Sequence, residues 1–177
     1  MQPRKNRIEV TFLINQIIKE INTCLKNGCY IAALTTALTL PDICGKVEYP
    51  KDSPTSRYKK WYREWIGKYE KCPDDEDNMP YQTADLIHDL RNSLLHEGNP
   101  DVNLDNNDLT SFKLLITGSY MSGGIATVHK DGDGKTIGRE IEIGIENLCF
   151  RLCRTAEVYY KENKDKFKFN YTIVNGI

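Results

Sequence analysis

No apolar run in this 177-residue chain approaches the roughly 18 residues that a membrane-spanning helix needs, so no membrane partner is expected. The basic N-terminal stretch MQPRKNRIEV is not followed by an apolar segment, which argues against a secretory leader. Net charge is also lacking. Twenty-four Lys and Arg stand against 25 Asp and Glu, and the formal charge of -1 gives no global pull toward nucleic acid; any basic surface must be local. The six cysteines (Cys24, Cys29, Cys44, Cys72, Cys149 and Cys153) include no C-x-x-C pair, and most fall in apolar helical patterns. That usage points to reduced, buried thiols and a cytoplasmic protein. Internal repeats and low-complexity tracts are missing. Ser93 and Ser122 have no convincing His/Asp arrangement, so serine-hydrolase chemistry is not supported. Histidine is scarce at three, and two of the three fall in one short stretch.

What is present is mostly helical rhythm. The length suits one domain over residues 1–177. From Arg7 to Lys26, Ile14, Ile17, Ile18, Ile21 and Leu25 recur at helical spacing, and Asn27-Gly28 supplies a stop. A second helix from Cys29 is rich in small residues until Pro41 breaks or kinks it, and residues 46–52 read as a linker. Ser53-Pro54 then forms an N-cap with proline at the first helical position. The third helix, running to Tyr69, carries an aromatic stripe of Tyr58, Trp61, Tyr62, Trp65 and Tyr69. Arg57, Lys59, Lys60 and Arg63 are interleaved with it. Stacking aromatics beside cations suit an RNA surface, but so regular a period favours core packing with a solvated basic side. Residues 73–78 form an acidic loop. After residue 108 the period becomes two. Strands are expected at 112–117, 125–129 and 136–143, with Asp131-Gly132-Asp133-Gly134 as a hairpin turn. The last long helix starts near Ile145 and buries Leu148, Cys149, Leu152, Cys153, Ala156, Tyr159 and Tyr160. The expected fold is mainly α: a helical bundle with a small antiparallel β-hairpin or sheet insert at about 111–143, before the last long helix. A tail follows at about 164–177 and includes a terminal strand at 167–174.

The chemistry-bearing stretch is DLIHDLRNSLLHEG, residues 85–98. On a helix advancing about 100° per residue, Asp85, His88, Asp89, Asn92 and His96 share one side, with Arg91 at its edge. Leu86, Ile87, Leu90 and Leu94 share the other. Metal-free cleavage of RNA needs a base for the 2′-hydroxyl, an acid for the leaving oxygen and a cation for the charged phosphorane. Histidine suits both proton transfers, and arginine suits the phosphate. Asn92, four residues before His96, shares its face and can orient the imidazole or meet the phosphate. One motif provides one such histidine, and two copies about a twofold axis provide two.

Arg91-Asn92-Ser93-Leu94-Leu95-His96 resembles the R-x(4–6)-H motif of the HEPN superfamily, in which a polar residue often follows the arginine. The order of helices, motif helix and a further helix is also similar. The resemblance implies an all-α bundle. It implies a metal-independent endoribonuclease without cofactors, of toxin–antitoxin or phage-defence type, whose composite site forms across a homodimer. Arg91 and His96 would be the catalytic pair, with Asn92 beside them and His88 and Asp89 as accessory residues. RNA, a second copy of the chain and an antitoxin or regulatory protein would be its partners. Some related bundles are not nucleases and serve in dimerisation or in protein or nucleotide binding.

Two metal readings compete with this. Asp85, His88, Asp89, Asn92 and His96 contain i, i+4 pairs, but a lone helix rarely encloses a cation. Residues 129–140 resemble a calcium-binding EF-hand loop, with Asp131, Asp133, Gly134 and Glu140 at fitting positions. His129 stands where the first acidic ligand belongs, and the hairpin turn explains the glycines without calcium. No metal is therefore expected at either place, and His129 is given no chemical role.

Overall fold

In the computed structural model, residues 7–10, 13–69, 83–103, 109–116, 125–168 and 171–174 are described. The acidic stretch 73–78, Cys72 and Ser122 lie outside them. The chain is mainly helical, with a sheet before its last long helix. The α-helices are α1 (Leu13–Lys26), α2 (Tyr30–Ala37), α3 (Leu40–Glu48), α4 (Pro54–Trp65), α5 (Ala84–Asn92) and α6 (Ile145–Glu162). The strands are β1 (Arg7–Val10), β2 (Val102–Asn103), β3 (Leu109–Leu115), β4 (Ile125–Lys130), β5 (Thr136–Gly144) and β6 (Tyr171–Val174). Among the described residues no helix is long and apolar enough to cross a membrane.

The helices pack by their apolar stripes. Ile14 and Ile21 of α1 are fully buried, and Ile17, Ile18 and Leu25 pack beside them. On α6 the buried set is Ile145, Leu148, Cys149, Leu152, Cys153, Ala156, Tyr159 and Tyr160, the stripe that the 3.6-residue period picks out. Burial pushes the Cys149 and Cys153 thiols up to about 12, which keeps them protonated and unreactive. Cys44 is also buried, whereas Cys24 is partly exposed and Cys29 exposed; all five are free thiols. One apolar cluster joins the helices to Phe112 of β3 and Ile141 and Ile143 of β5.

Pro41 follows a break in the helix, at residues 38–39 between α2 and α3, as expected there. It sits in the first turn of α3, where its missing N–H costs nothing. The helix then continues through Gly45 to Glu48, covering part of the expected linker. Gly45 is where α3 meets α4: a Cβ there would lie 2.6 Å from the Arg57 carbonyl oxygen and 2.9 Å from its carbon. Asp42 and Arg57 bridge the same two helices at 2.8 Å.

The first helix is shorter than its rhythm implies. Residues 7–10 form β1, which pairs antiparallel with β6, and the helix begins at Leu13. Tertiary pairing with the far end of the chain overrides the local pattern there. The sheet also departs from an all-antiparallel insert. Its order is β2-β3-β5-β4; β4 and β5 form the antiparallel hairpin, but β3 runs parallel to β5. The chain passes from β3 to β4 and turns back, so β5 fills the position between them. Strand pairing begins at Val102, earlier than the expected start near 111. Phe112, Ile141 and Ile143 face the helices, while Lys113 meets Glu140 at 2.7 Å on the other face.

Gly45→Ala is expected to destabilise the protein. Helix propensity favours alanine by up to about 1 kcal/mol, but the clash is with backbone, and overpacking of this kind costs about 1–3 kcal/mol. Chemical denaturation of the two proteins measures the sign.

Candidate functional site at the end of helix α5

Thr83 caps α5, its hydroxyl accepting from the Leu86 amide at 3.2 Å. Leu86, Ile87 and Leu90 face the core. After Asn92 the backbone changes. Residues Ser93–Glu97 form a π-helical turn, closed by Gly98 in the left-handed region at φ 66°. A continuous α-helix through residue 97 was the simple expectation, and the structure corrects it. Wider i→i+5 bonding advances the chain less per residue, so His96 leaves the direction that the α-helical wheel assigns it. Such turns occur often at functional sites.

The expected polar stripe divides into three environments. Asp85 is taken up by α4: its carboxylate meets Lys59 at 2.8 Å and Arg63 at 2.7 Å. Partial burial pushes the Asp85 carboxyl up, but the hydrogen bonds from Lys59 and Arg63 together outweigh it and hold it below the usual carboxylate range. His88 is not on an open face. It is 7% exposed, with its ring edge-on to Tyr58 of α4 at 5.1 Å between centroids and 71° between planes. The wheel misplaces it because α4 and the core together cover a wider arc of α5 than one apolar stripe. Its Nδ1 lies 3.2 Å from an Asp89 carboxylate oxygen and 3.4 Å from the Asn92 side-chain nitrogen. The third environment is the motif itself. Arg91 donates from Nη1 to the Asn92 Oδ1 at 2.7 Å, while His96 is exposed and makes no hydrogen bond or ion pair among the described residues.

Three of the motif's companions therefore form one polar group: His88, Asp89 and Asn92, with the Arg91 guanidinium attached. His96 stands apart from that group, on the π-turn beside the exposed Leu95. Two buried donors next to the group have no partner among the described residues, the Tyr58 hydroxyl and the Arg91 Nε. An unsatisfied buried hydroxyl costs about 1–3 kcal/mol. Burying an aromatic ring returns about as much, so packing explains Tyr58 without the hydroxyl contributing.

Each of the four basic residues on α4 has a carboxylate partner. Arg57 meets Asp42, Lys60 meets Asp52 at 2.6 Å, and Lys59 and Arg63 share Asp85. The aromatic stripe is core at Tyr58, Trp61 and Tyr62, and only its end, Tyr69, is strongly exposed, at 77%. Periodicity places these side chains but does not identify the acids that meet the cations, because those acids come from other helices and loops.

Among the described residues no three His, Cys, Asp or Glu side chains are grouped so as to hold a metal ion. At residues 129–140, Asp131 Oδ1 accepts from the amides of Asp133 and Lys135 at 3.0 and 2.9 Å, which ties the carboxylate to its own turn. Glu140 lies on β5 and pairs with Lys113. His129 is exposed on β4. A polar groove of about 450 Å³ lies between α1 and α6, lined by Asn15, Lys19, Asn22, Lys26 and Glu157 among others, with no residue from α5 or the π-turn. No family model, curated protein or solved structure matches the chain.

Asp85→Asn is expected to cost less than about 1 kcal/mol at neutral pH, as for other half-exposed ion pairs. The sign follows from the lowered carboxyl. Its contribution is present above the unfolded-state pKa and is lost as pH falls through the folded-state value. The melting curves of the two proteins should therefore converge in acid, which a pH series of thermal melts checks.

Proposed function

We propose that the chain is a metal-independent endoribonuclease of HEPN type, acting as a homodimer in the cytoplasm. The observation that carries this reading is the end of α5: Arg91 is hydrogen-bonded to Asn92 at 2.7 Å, and His96, five residues on, is exposed and without a partner among the described residues. A guanidinium, always charged and forked, suits a phosphate that gains charge during cleavage. An exposed imidazole suits proton transfer to a substrate that arrives from outside. A single exposed His96 supplies only one of the two proton transfers, so its counterpart is assigned to a second copy of the chain. The attack of the 2′-oxygen forms its bond to phosphorus as the bond to the 5′-oxygen breaks, leaving a 2′,3′-cyclic phosphate and a free 5′-hydroxyl. One His96 takes the 2′-proton and the other protonates the 5′-oxygen. No metal or cofactor is assigned a part. A toxin or phage-defence role, with an antitoxin or regulatory protein as partner, is the biological setting this activity fits.

The ion pairing of Arg57, Lys59, Lys60 and Arg63 favours a second reading. Cations already matched by carboxylates are weak ligands for RNA, and a non-catalytic helical module for dimerisation or for protein or nucleotide binding needs none of them free. Cleavage of mixed RNA in excess chelator separates the two. The wild-type chain should cut, and His96→Ala and Arg91→Ala should each lower kcat/KM by at least about 10²-fold, the scale of losing an acid–base or charge-stabilising group. Cutting that survives both substitutions removes the assigned roles, and absence of cutting by the wild type favours the binding module.

A further inference from the structure

The Arg91 guanidinium is held by little. Among the described residues its one hydrogen bond is Nη1 to Asn92 Oδ1, and its buried Nε has no partner. One hydrogen bond fixes a planar group only if the acceptor is itself fixed. Among the described residues the Asn92 side chain has one other hydrogen-bond contact, His88 Nδ1 at 3.4 Å, four residues earlier on the same side of α5. With Oδ1 turned to Arg91, the Asn92 amide presents its N–H to that nitrogen. His88 is the most enclosed member of the series: it is 7% exposed and its ring lies edge-on to the buried Tyr58 of α4.

We infer that His88 is a positioning residue for Arg91, acting through Asn92. Tyr58 holds the His88 ring, Nδ1 accepts from the Asn92 amide, and the Asn92 carbonyl then holds the guanidinium at the mouth of the π-turn. Nδ1 serves one partner at a time. Without a proton it accepts from Asn92, and with one it donates to Asp89 Oδ1 at 3.2 Å and releases Asn92. The structural part stands on this geometry alone, while its consequence for turnover rests on the ribonuclease reading above.

Two substitutions separate positioning from packing. His88→Phe keeps a ring against Tyr58 and removes the acceptor. His88→Asn loses the ring but keeps an acceptor oxygen near the place of Nδ1. Side-chain nitrogen NMR of the full chain reads the outcome, because a pinned guanidinium shows separate Nη signals and a rotating one shows a merged signal. The expected result is separate Arg91 signals in the wild type and in His88→Asn, and a merged signal in His88→Phe despite an intact fold by circular dichroism. The wild-type Nδ1 should also resonate as an unprotonated nitrogen. In RNA cleavage, kcat of His88→Phe should fall by about 10²-fold, the cost of a misplaced group, with KM little changed and His88→Asn largely restored. Separate Arg91 signals in His88→Phe, merged signals in both variants, or a protonated wild-type Nδ1 would each overturn the inference. If the wild type leaves RNA intact, the ribonuclease reading falls, and the NMR result alone decides the role of His88.

Discussion

Burial of one side of α4 is the constraint on which the candidate site depends. Tyr58, Trp61 and Tyr62 are at most 1% exposed, and each such ring contributes on the order of 2 kcal/mol by leaving water. With that side committed, Arg57, Lys59, Lys60 and Arg63 are turned to the flanks, where α3, the α3–α4 connection and α5 each bring a carboxylate within 2.6–2.8 Å. Exposed pairs of this kind add little each. Asp42 and Asp85 link α3 and α5 to α4, while Asp52 links the connection before it. α3 also approaches α4 closely at Gly45, and α5 meets it at the Tyr58–His88 ring contact.

From that arrangement the site follows. Holding α5 against α4 by Asp85 at one end and His88 one turn later leaves the next turn, with Asn92 and Arg91, at the edge of the packed region. Beyond it the helix loosens into the π-turn and ends at Gly98. The guanidinium thus stands near the end of the buried part of the helix, Ser93 and Leu94 still packing beyond it, and His96 where the chain is solvated. A half-buried cation and, further along the chain, an exposed imidazole are a combination that neither a fully buried nor a fully exposed helix provides.

Much of the architecture was readable because it rests on local rules. The α6 stripe, the capped start at Ser53 and the Asp131–Gly134 turn all follow from spacing or from the backbone preferences of a few residues. Elements set by distant partners were not readable. Residues 7–10 have helical neighbours but pair with β6, and β3 aligns parallel to β5 although hairpin rules favour antiparallel neighbours. Gly45, inside the stretch after Pro41, is a point of close approach between two helices, which spacing along one chain does not reveal.

The same division runs through the candidate site. The sequence by itself determined that His88, Arg91 and Asn92 would be carried on one helix, since i, i+4 spacing and the apolar positions Leu86, Ile87 and Leu90 allow little else. Only the tertiary structure decided their separate situations. Asp85 was drawn to the cations of α4, His88 was enclosed by Tyr58, and His96 was left in solvent on a turn of wider pitch. The reason is physical: a helical period gives the direction in which a side chain leaves its own helix, whereas burial and pairing depend on which other helix lies in that direction.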